Sequence, residues 1–313
     1  FATGSDYTVN LRLDGYPMEV NLPRLGVPLV VAGETTGEIT LSGAYGAPPS
    51  GEVALRGADV RLNDLGELRA DVRLRLSPVE WVAERFELAG PRGRLAASGS
   101  WNRSDDTVQA RLDGFEVDAS IAGDLTGADL PFGGSLQLQA QLTGAFAAPN
   151  AAATLRWTDA TVNGVRLGSV ALSTELRAGS MAIAAVGRSD PTAQAVPPPT
   201  PTATGGGNVI PLPVVPTAGW AATLSADLQA PHLGTLRAAG ESDLVLAMLA
   251  AQGYETGDDL EVIGTLEIEG SGPLGEWTMW NGRATVADFS LSRPGLTFSL
   301  PDPLTLVLDN GVL

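Results

Sequence analysis

Apolar and polar residues alternate along much of this chain. Between Leu68 and Leu76 every second position is Leu, Ala or Val, and the positions between them are Arg or Asp. Successive side chains of a strand point to opposite faces, so this pattern predicts a strand with one apolar and one polar face. The same alternation predicts further strands, separated by Gly, Asn, Asp and Pro, at residues 7–13, 38–42, 52–56, 60–62, 107–113, 135–143, 169–177, 181–183, 223–229 and 265–269.

The connections between these segments are short, which favours antiparallel pairing because parallel strands need long crossovers. Three strands stand in a recurring frame, in which a segment bounded by Gly is followed by a turn of small residues and Pro: 37–48, 134–149 and 264–273. We interpret this recurrence as a degenerate internal repeat of roughly 100 residues. The fold predicted is therefore an all-β, elongated antiparallel groove with an apolar interior.

The apolar positions of the predicted strands are the candidate functional residues, because a continuous apolar surface needs something to cover it. Aromatic residues make up 5% of the chain, so the predicted lining is mainly aliphatic, with few aromatic anchors. The predicted lining residues are Leu11, Leu13, Ile39, Leu41, Val53, Leu55, Leu68, Val72, Leu74, Leu76, Val108, Leu112, Leu136, Leu138, Leu142, Val170, Leu172, Leu224, Leu228, Leu266, Ile268, Leu304 and Leu306.

Some segments depart from the alternation. Residues 190–217 are rich in Pro and nearly free of charge, which predicts a disordered insertion between groove segments 1–189 and 218–313. Residues 243–250 have the pattern of a short helix capped by Asp243. Residues 79–88 fit either a helix, since Ser77 and Glu80 have capping-box spacing, or an irregular strand.

Charge and composition exclude several functions. The net charge is −17, with 36 acidic residues against 19 basic ones, so no basic stripe is available for nucleic acid or an anionic membrane surface. No Cys is present, which excludes disulfides and thiolate chemistry. The sequence contains no run of 18 apolar residues, which is about the length that a helix needs to span a bilayer. The chain starts at Phe1 and ends in mid-pattern, so we expect a piece of a longer protein.

No catalytic or metal-binding pattern stands out. His232 is the only histidine, and no partner residues surround it at a useful spacing. The acidic pairs at 105–106 and 258–259 lack the spacing of a calcium loop, and the glycines at 205–207 lack the Lys of a phosphate loop. Because their spacing is not in strict alternation, we expect Trp277 and Trp280 to pack against a strand rather than to stack on a ligand. We predict no enzyme activity, cofactor or metal.

The Gly–strand–Gly–turn–Pro frame, the segment from Gly93 to Trp101 and the closing segment 303–311 resemble the TamB family of translocation and assembly module proteins, within the AsmA-like group. The resemblance implies a β-taco with an apolar groove, in a periplasmic protein anchored to the inner membrane by an N-terminal helix. It also implies contact with a BamA-family outer-membrane barrel through a C-terminal part; neither of these parts is in this sequence.

The family function implied is phospholipid passage between the membranes, with acyl chains in the groove, or assistance to outer-membrane protein assembly. Two other interpretations remain open. The apolar faces could close on each other as a sandwich. The chain could also be a structural β-solenoid of an exported surface or adhesin protein, with a filled core. A filled solenoid usually repeats every roughly 20 to 30 residues, which this chain does not.

Overall fold

The computed structural model describes residues 5–21, 30–62, 65–121, 132–162, 165–177, 179–188, 219–227, 233–241, 261–273, 276 and 279–309. These residues form one open antiparallel sheet of 17 strands, and no helical element is found among them. The strands are β1 (Asp6–Asn21), β2 (Val30–Ala44), β3 (Ser50–Leu62), β4 (Leu65–Leu76), β5 (Glu80–Gly90), β6 (Gly93–Asn102), β7 (Thr107–Asp118), β8 (Phe132–Ala145), β9 (Ala148–Val162), β10 (Val165–Arg177), β11 (Ser180–Arg188), β12 (Gly219–Asp227), β13 (Leu233–Gly240), β14 (Glu261–Pro273), β15 (Asn281–Arg293), β16 (Leu296–Ser299) and β17 (Leu304–Leu308).

Strands that follow one another in sequence pair with one another. Antiparallel registers join β1 through β7 in order, and likewise β9 through β15. The far edge of β15 is shared by β16 at one end and β17 at the other. The predicted all-β, antiparallel fold class is thereby confirmed.

The chain divides into two compact units. The first unit contains residues 1–127 and 137–149, and the second contains residues 128–136 and 150–313. Strands β1–β7 belong to the first unit and β10–β17 to the second, while β8 and β9 contribute residues to both. The three clusters of buried apolar side chains found among the described residues all lie in the second unit.

Of residues 79–88, which fitted either a helix or a strand, Val79 lies in a turn and residues 80–88 lie in β5. The Ser77 hydroxyl accepts a hydrogen bond from the Glu80 amide at 2.8 Å, as a capping box requires, but the Ser77 amide also donates to the Glu80 carbonyl at 2.8 Å and closes a hairpin turn. A bulge then shifts the register between Arg73 and Leu74 on β4, and the extra residue on β5 is Glu84. The bulge explains the broken alternation, because it changes the phase of the strand by one residue.

A second kind of bulge recurs in the fold. In each case an acidic residue with φ near +50° lies opposite a glycine of the preceding strand, and a Cβ built on that glycine would lie only 2.5–3.2 Å from a backbone atom of the facing strand. Asp and Glu carry a cost in this left-handed region, although Asp tolerates it better than most residues. The pairs are Gly33 with Asp59, Gly93 with Glu116, Gly134 with Asp159, and Gly264 with Asp288.

The strands are longer and more numerous than the alternation predicted. Strands β6 and β13 were not predicted as strands, because both are rich in Gly and Ala and give little contrast between faces. On either side of the Pro-rich segment, Ile183 and Leu224 are direct register partners, so β11 and β12 are antiparallel neighbours. The predicted insertion 190–217 and the predicted helix 243–250 lie outside the described residues.

Candidate functional site

The candidate site of the first unit is one face of strands β1–β7, on which the registers align the predicted lining residues in three charge-free rows. Direct partners in an antiparallel sheet share a face, so each row is continuous across seven strands. We call these rows the apolar face of the first unit. They are Val9–Leu41–Gly51–Leu76–Trp81–Trp101–Val108, Leu11–Ile39–Val53–Leu74–Ala83–Gly99–Ala110, and Leu13–Gly37–Leu55–Val72–Phe86–Ala97–Leu112.

Every position in these rows is at least partly open to solvent. Val9, Leu11 and Phe86 are 46%, 47% and 39% exposed, and the other aliphatic side chains of the rows are half-buried. Core residues under a second layer are normally fully buried and touch six or more neighbours. The apolar face of the first unit therefore has the accessibility of a single-layer sheet rather than that of a packed core.

Two more predicted lining residues, Leu138 and Leu142 on β8, are half-buried in the same unit. A Cβ built on Gly114 would lie 3.3 Å from Leu138 Cβ and 3.0 Å from a methyl carbon of Leu95. Gly114 is the register partner of Leu95. Leu95 lies two residues before Ala97, on the same face of β6. Leu138 therefore extends the apolar face beyond the three rows. Leu68 is also half-buried in this unit.

The opposite face of the first unit carries paired charges. Arg85 donates to Glu87 Oε2 at 2.5 and 3.1 Å and lies 3.5 Å from Asp71, while Arg94 lies 2.8 Å from Glu87 Oε1. The hydrogen bond from Arg85 lowers the pKa of the Glu87 carboxyl below its ordinary value, with Arg85 and Arg94 adding charge attraction. This face is hydrated, so the apolar and polar faces are separated as the alternation predicted.

The mainly aliphatic lining of the first unit includes one aromatic cluster. Trp81 and Trp101 are register partners in the first row, with their ring centroids 5.4 Å apart in an edge-to-face arrangement. Phe146, in the turn after β8, stands 5.6 Å from Trp101. This cluster could not be predicted from the sequence, because its members come from separate turns and strands.

In the second unit the registers again gather the predicted lining residues on one face. Val170, Leu266 and Leu304 fall in one row, Leu172, Ile268 and Leu306 in another, and Leu224 in a third. The rows are Trp157–Val170–Gly187–Trp220–Gly240–Leu266–Val286–Leu304, Leu155–Leu172–Ala185–Ala222–Ala238–Ile268–Ala284–Leu306, and Ala153–Thr174–Ile183–Leu224–Leu236–Gly270–Gly282–Leu308.

This second face is more filled than the first. Ala238 and Leu266 are buried beneath Trp220, Ile268 and their neighbours. A Cβ on Gly187 would lie 2.3 Å from the Trp220 indole, so the ring lies directly on the glycine backbone. At the β17 edge, Leu304 and Leu306 are 43% and 39% exposed. Leu136 is half-buried, and Leu228 lies outside the described residues.

The expectation of a wet opposite face is wrong for β10–β12. Ala171, Ser173, Ala184 and Thr223 there are 1–4% exposed, whereas the predicted lining residue Leu172 is only half-buried. Ser and Thr at alternate positions look polar in sequence, but their small side chains are compatible with burial when their hydroxyls are hydrogen-bonded. The buried set on this face is Ala171, Ser173, Ala182, Ala184, Val186, Ala221, Thr223 and Ser225.

Trp280, proposed from sequence to fill strand packing, is 3% exposed. A Cβ on Gly272 would lie 2.7 Å from its indole, and Trp280 Nε1 donates to the Pro273 carbonyl at 2.8 Å. Two of the residues for which the sequence predicted no binding site, Asp105 and Asp106, form the turn after β6, where each carboxylate accepts a hydrogen bond. The others lie outside the described residues: His232, Trp277, the glycines at 205–207 and the pair at 258–259.

Within the described ranges, no group of three or more His, Cys, Asp or Glu side chains is placed to hold a metal ion. The same ranges contain no helix with the length and apolar character needed to cross a bilayer. No protein-family model matches the chain, and no curated protein or solved structure matches it.

Proposed function

We propose that this chain is part of a periplasmic, TamB-like groove protein, in which the apolar face of the first unit carries the acyl chains of phospholipids between the inner and outer membranes. The observation that carries the proposal is the set of three charge-free rows across β1–β7, none of whose positions is fully buried. A soluble protein rarely leaves so continuous an apolar surface without a ligand or partner.

The dimensions of this face suit an acyl chain. Seven strands at ~4.8 Å spacing give each row a length of about 29 Å along the sheet. One leaflet of a bilayer provides about half of its ~30 Å hydrocarbon thickness. A row is therefore long enough for an extended acyl chain, and sliding along it requires no passage over a charged side chain.

The repeat proposal is supported by the recurring bulge. A glycine facing an acidic residue of positive φ stands at Gly134 with Asp159 and at Gly264 with Asp288, and both glycines are the first residues of a frame found in the sequence. The first pair, Gly33 with Asp59, is displaced from Gly37 of that frame. Each bulge increases the local twist of the sheet, which would curl successive strands in the same sense.

The other interpretations predict different burial. A closed sandwich or a filled solenoid would bury the three rows, and their accessibility favours the open face in the first unit. The Trp220 packing gives the filled solenoid its best support, because it occupies the corresponding face of the second unit. Assistance to outer-membrane protein assembly uses the same apolar face with an unfolded strand as cargo. In a TamB-like protein, the inner-membrane anchor and the barrel contact would come from other segments.

The test is direct. The chain, expressed with a periplasmic export signal and purified without detergent, is analysed by native mass spectrometry and by lipid extraction. We expect bound phospholipid, released on unfolding, and no bound lipid on a variant carrying Asp at Val53, Val72 and Leu74. The matched variant carries Asp at exposed polar-face positions Thr40 and Arg73 and should retain lipid. A lipid-free native protein, or equal lipid on both variants, would refute the proposal.

A further inference from the structure

A cation lies beside the two Trp residues of the first row in the first unit. The guanidinium carbon of Arg103 lies 5.4 Å from the centroid of Trp81 and 5.8 Å from that of Trp101. Both distances fall within the ~6 Å range of cation–π contact. No position of the three rows is charged, so Arg103 places positive charge directly beside an otherwise neutral surface.

The turn that carries Arg103 is fixed by several hydrogen bonds. The Arg103 amide donates to the Val79 carbonyl at 2.7 Å, and Trp101 Nε1 donates to Asp106 Oδ1 at 3.0 Å. The amide of Phe146 donates to the Asp106 carbonyl at 2.8 Å. Three turns of the first unit are thereby held together, and the aromatic rings and the guanidinium have a defined arrangement.

Arg103 differs from the arginines of the polar face. Arg85, Arg94 and Arg111 each lie within 4 Å of a carboxylate, whereas no carboxylate of the described residues lies within that distance of the Arg103 guanidinium. Its Nη1 is buried and makes no hydrogen bond. A guanidinium presents five donors, and a buried donor left without an acceptor is costly, so an oxyanion that reached Nη1 would relieve that cost.

We propose that the Trp81–Trp101–Arg103 cluster binds the anionic head of an amphiphile whose alkyl chain lies on the apolar face of the first unit. This inference rests on the proposed function and adds a head-group preference to it. The oxyanion could be a phosphate ester or a carboxylate, since both match the guanidinium fork. Because Nη1 is buried, its binding to the ligand requires the Arg103 side chain to turn toward it. Asp105 and Asp106 in the same turn oppose an anion, so the preference is moderate.

The experiment compares probes that share one alkyl chain. Binding of dodecyl phosphate, dodecanol and dodecyltrimethylammonium is measured by titration calorimetry on the purified chain, with the two ionic probes below their micelle concentrations and dodecanol below its solubility limit. Wild type should bind dodecyl phosphate about tenfold more tightly than dodecanol. It should also prefer dodecyl phosphate to the cationic probe, although a net charge of −17 favours the reverse. Inorganic phosphate at millimolar concentration should not compete.

Arg103→Gln should reduce the ratio between dodecyl phosphate and dodecanol to about one and leave dodecanol affinity within about twofold. Arg111→Gln removes the same charge from the polar face of the next strand and should leave the ratio unchanged. Arg103→Lys keeps the charge and should keep most of the preference. If Arg103→Gln does not fold, the wild-type preference between the anionic and cationic probes decides the question.

Four outcomes would overturn the inference. An unchanged ratio in Arg103→Gln would show that the cation–π stack is only structural. Competition by inorganic phosphate would indicate a site for the free ion. Equal binding of dodecanol and dodecyl phosphate would remove the head-group site but leave the proposed function standing, whereas no binding of either probe would remove both.

Discussion

Leu138→Asp tests whether the apolar face of the first unit is open. Leu138 is half-buried, and its neighbour Gln139 is exposed on the other face of β8. Full burial of a Leu side chain is worth about 1.5–3 kcal/mol, so a half-buried one contributes about 1 kcal/mol. Loss of cross-strand packing adds up to about 1 kcal/mol. The new carboxylate remains hydrated on an open face, and the predicted loss of stability is about 1–2 kcal/mol.

A packed second layer would give a different result. An unpaired carboxylate in a dry core, together with the lost Leu packing, would cost upward of about 4 kcal/mol. The assay is urea unfolding followed by circular dichroism, with alkyl-probe binding measured in parallel. Gln139→Asp is the control and should change neither stability by more than about 0.5 kcal/mol nor binding. We expect Leu138→Asp to retain a cooperative transition and to lose at least about tenfold in affinity for dodecanol. Wholesale unfolding of Leu138→Asp would refute the open face.

Other predictions follow from individual contacts. Asp59 has φ +51°, so Asp59→Gly should equal or exceed wild-type stability and Asp59→Val should lose about 1–2 kcal/mol, as measured by urea unfolding. The pKa of Glu87 is lowered in the folded state by Arg85, so its stabilisation is present above the ordinary value of 4.5 and is lost as pH falls through the folded pKa. The drop in melting temperature between about pH 5 and about pH 3 should therefore be smaller in Glu87→Gln than in wild type. Trp280 Nε1 has an acceptor and buried Trp220 Nε1 has none, so Trp280→Phe should cost about 1 kcal/mol more than Trp220→Phe; equal costs would contradict the assignment of the two N–H groups.

The alternation of the sequence predicted which face each side chain occupies wherever the polar positions of a strand carry charged residues. In β4 the charged side chains of Arg69, Arg73 and Arg75 are exposed, so Val72 and Leu74 must lie on the opposite face. The register places them there, opposite Leu55 and Val53. The same pattern predicted antiparallel order, because short turns allow little else. It could not predict β5, where one extra residue at the bulge reverses the phase within the strand.

Burial on β10–β12 could not be predicted for another reason. Ala, Ser and Thr at alternate positions have little preference for either face, so what lies against them decides their burial. The Arg103 cluster was beyond sequence reasoning for a related reason. Trp81, Arg103 and Phe146 belong to different strand ends, and only the pairing of β5 with β6 and the hydrogen bonds of the turns bring them together.

The two units show how side-chain size, rather than pattern, determines whether a face can accept a ligand. In the first unit the small residues Ala83 and Gly99 follow the larger Leu74 along the second row, and that row contains no aromatic ring. In the second unit the same small residues on β11 and β13 are covered by Trp220 from the strand between them. A gap between small residues stays accessible only when no neighbouring side chain is long enough to fill it, since dispersion contacts favour filling. The binding capacity of the first unit therefore depends on the absence of an aromatic ring from its second row. Trp81 and Trp101 stand in the first row beside Arg103, where they can contact a head group without blocking an acyl chain on the second row.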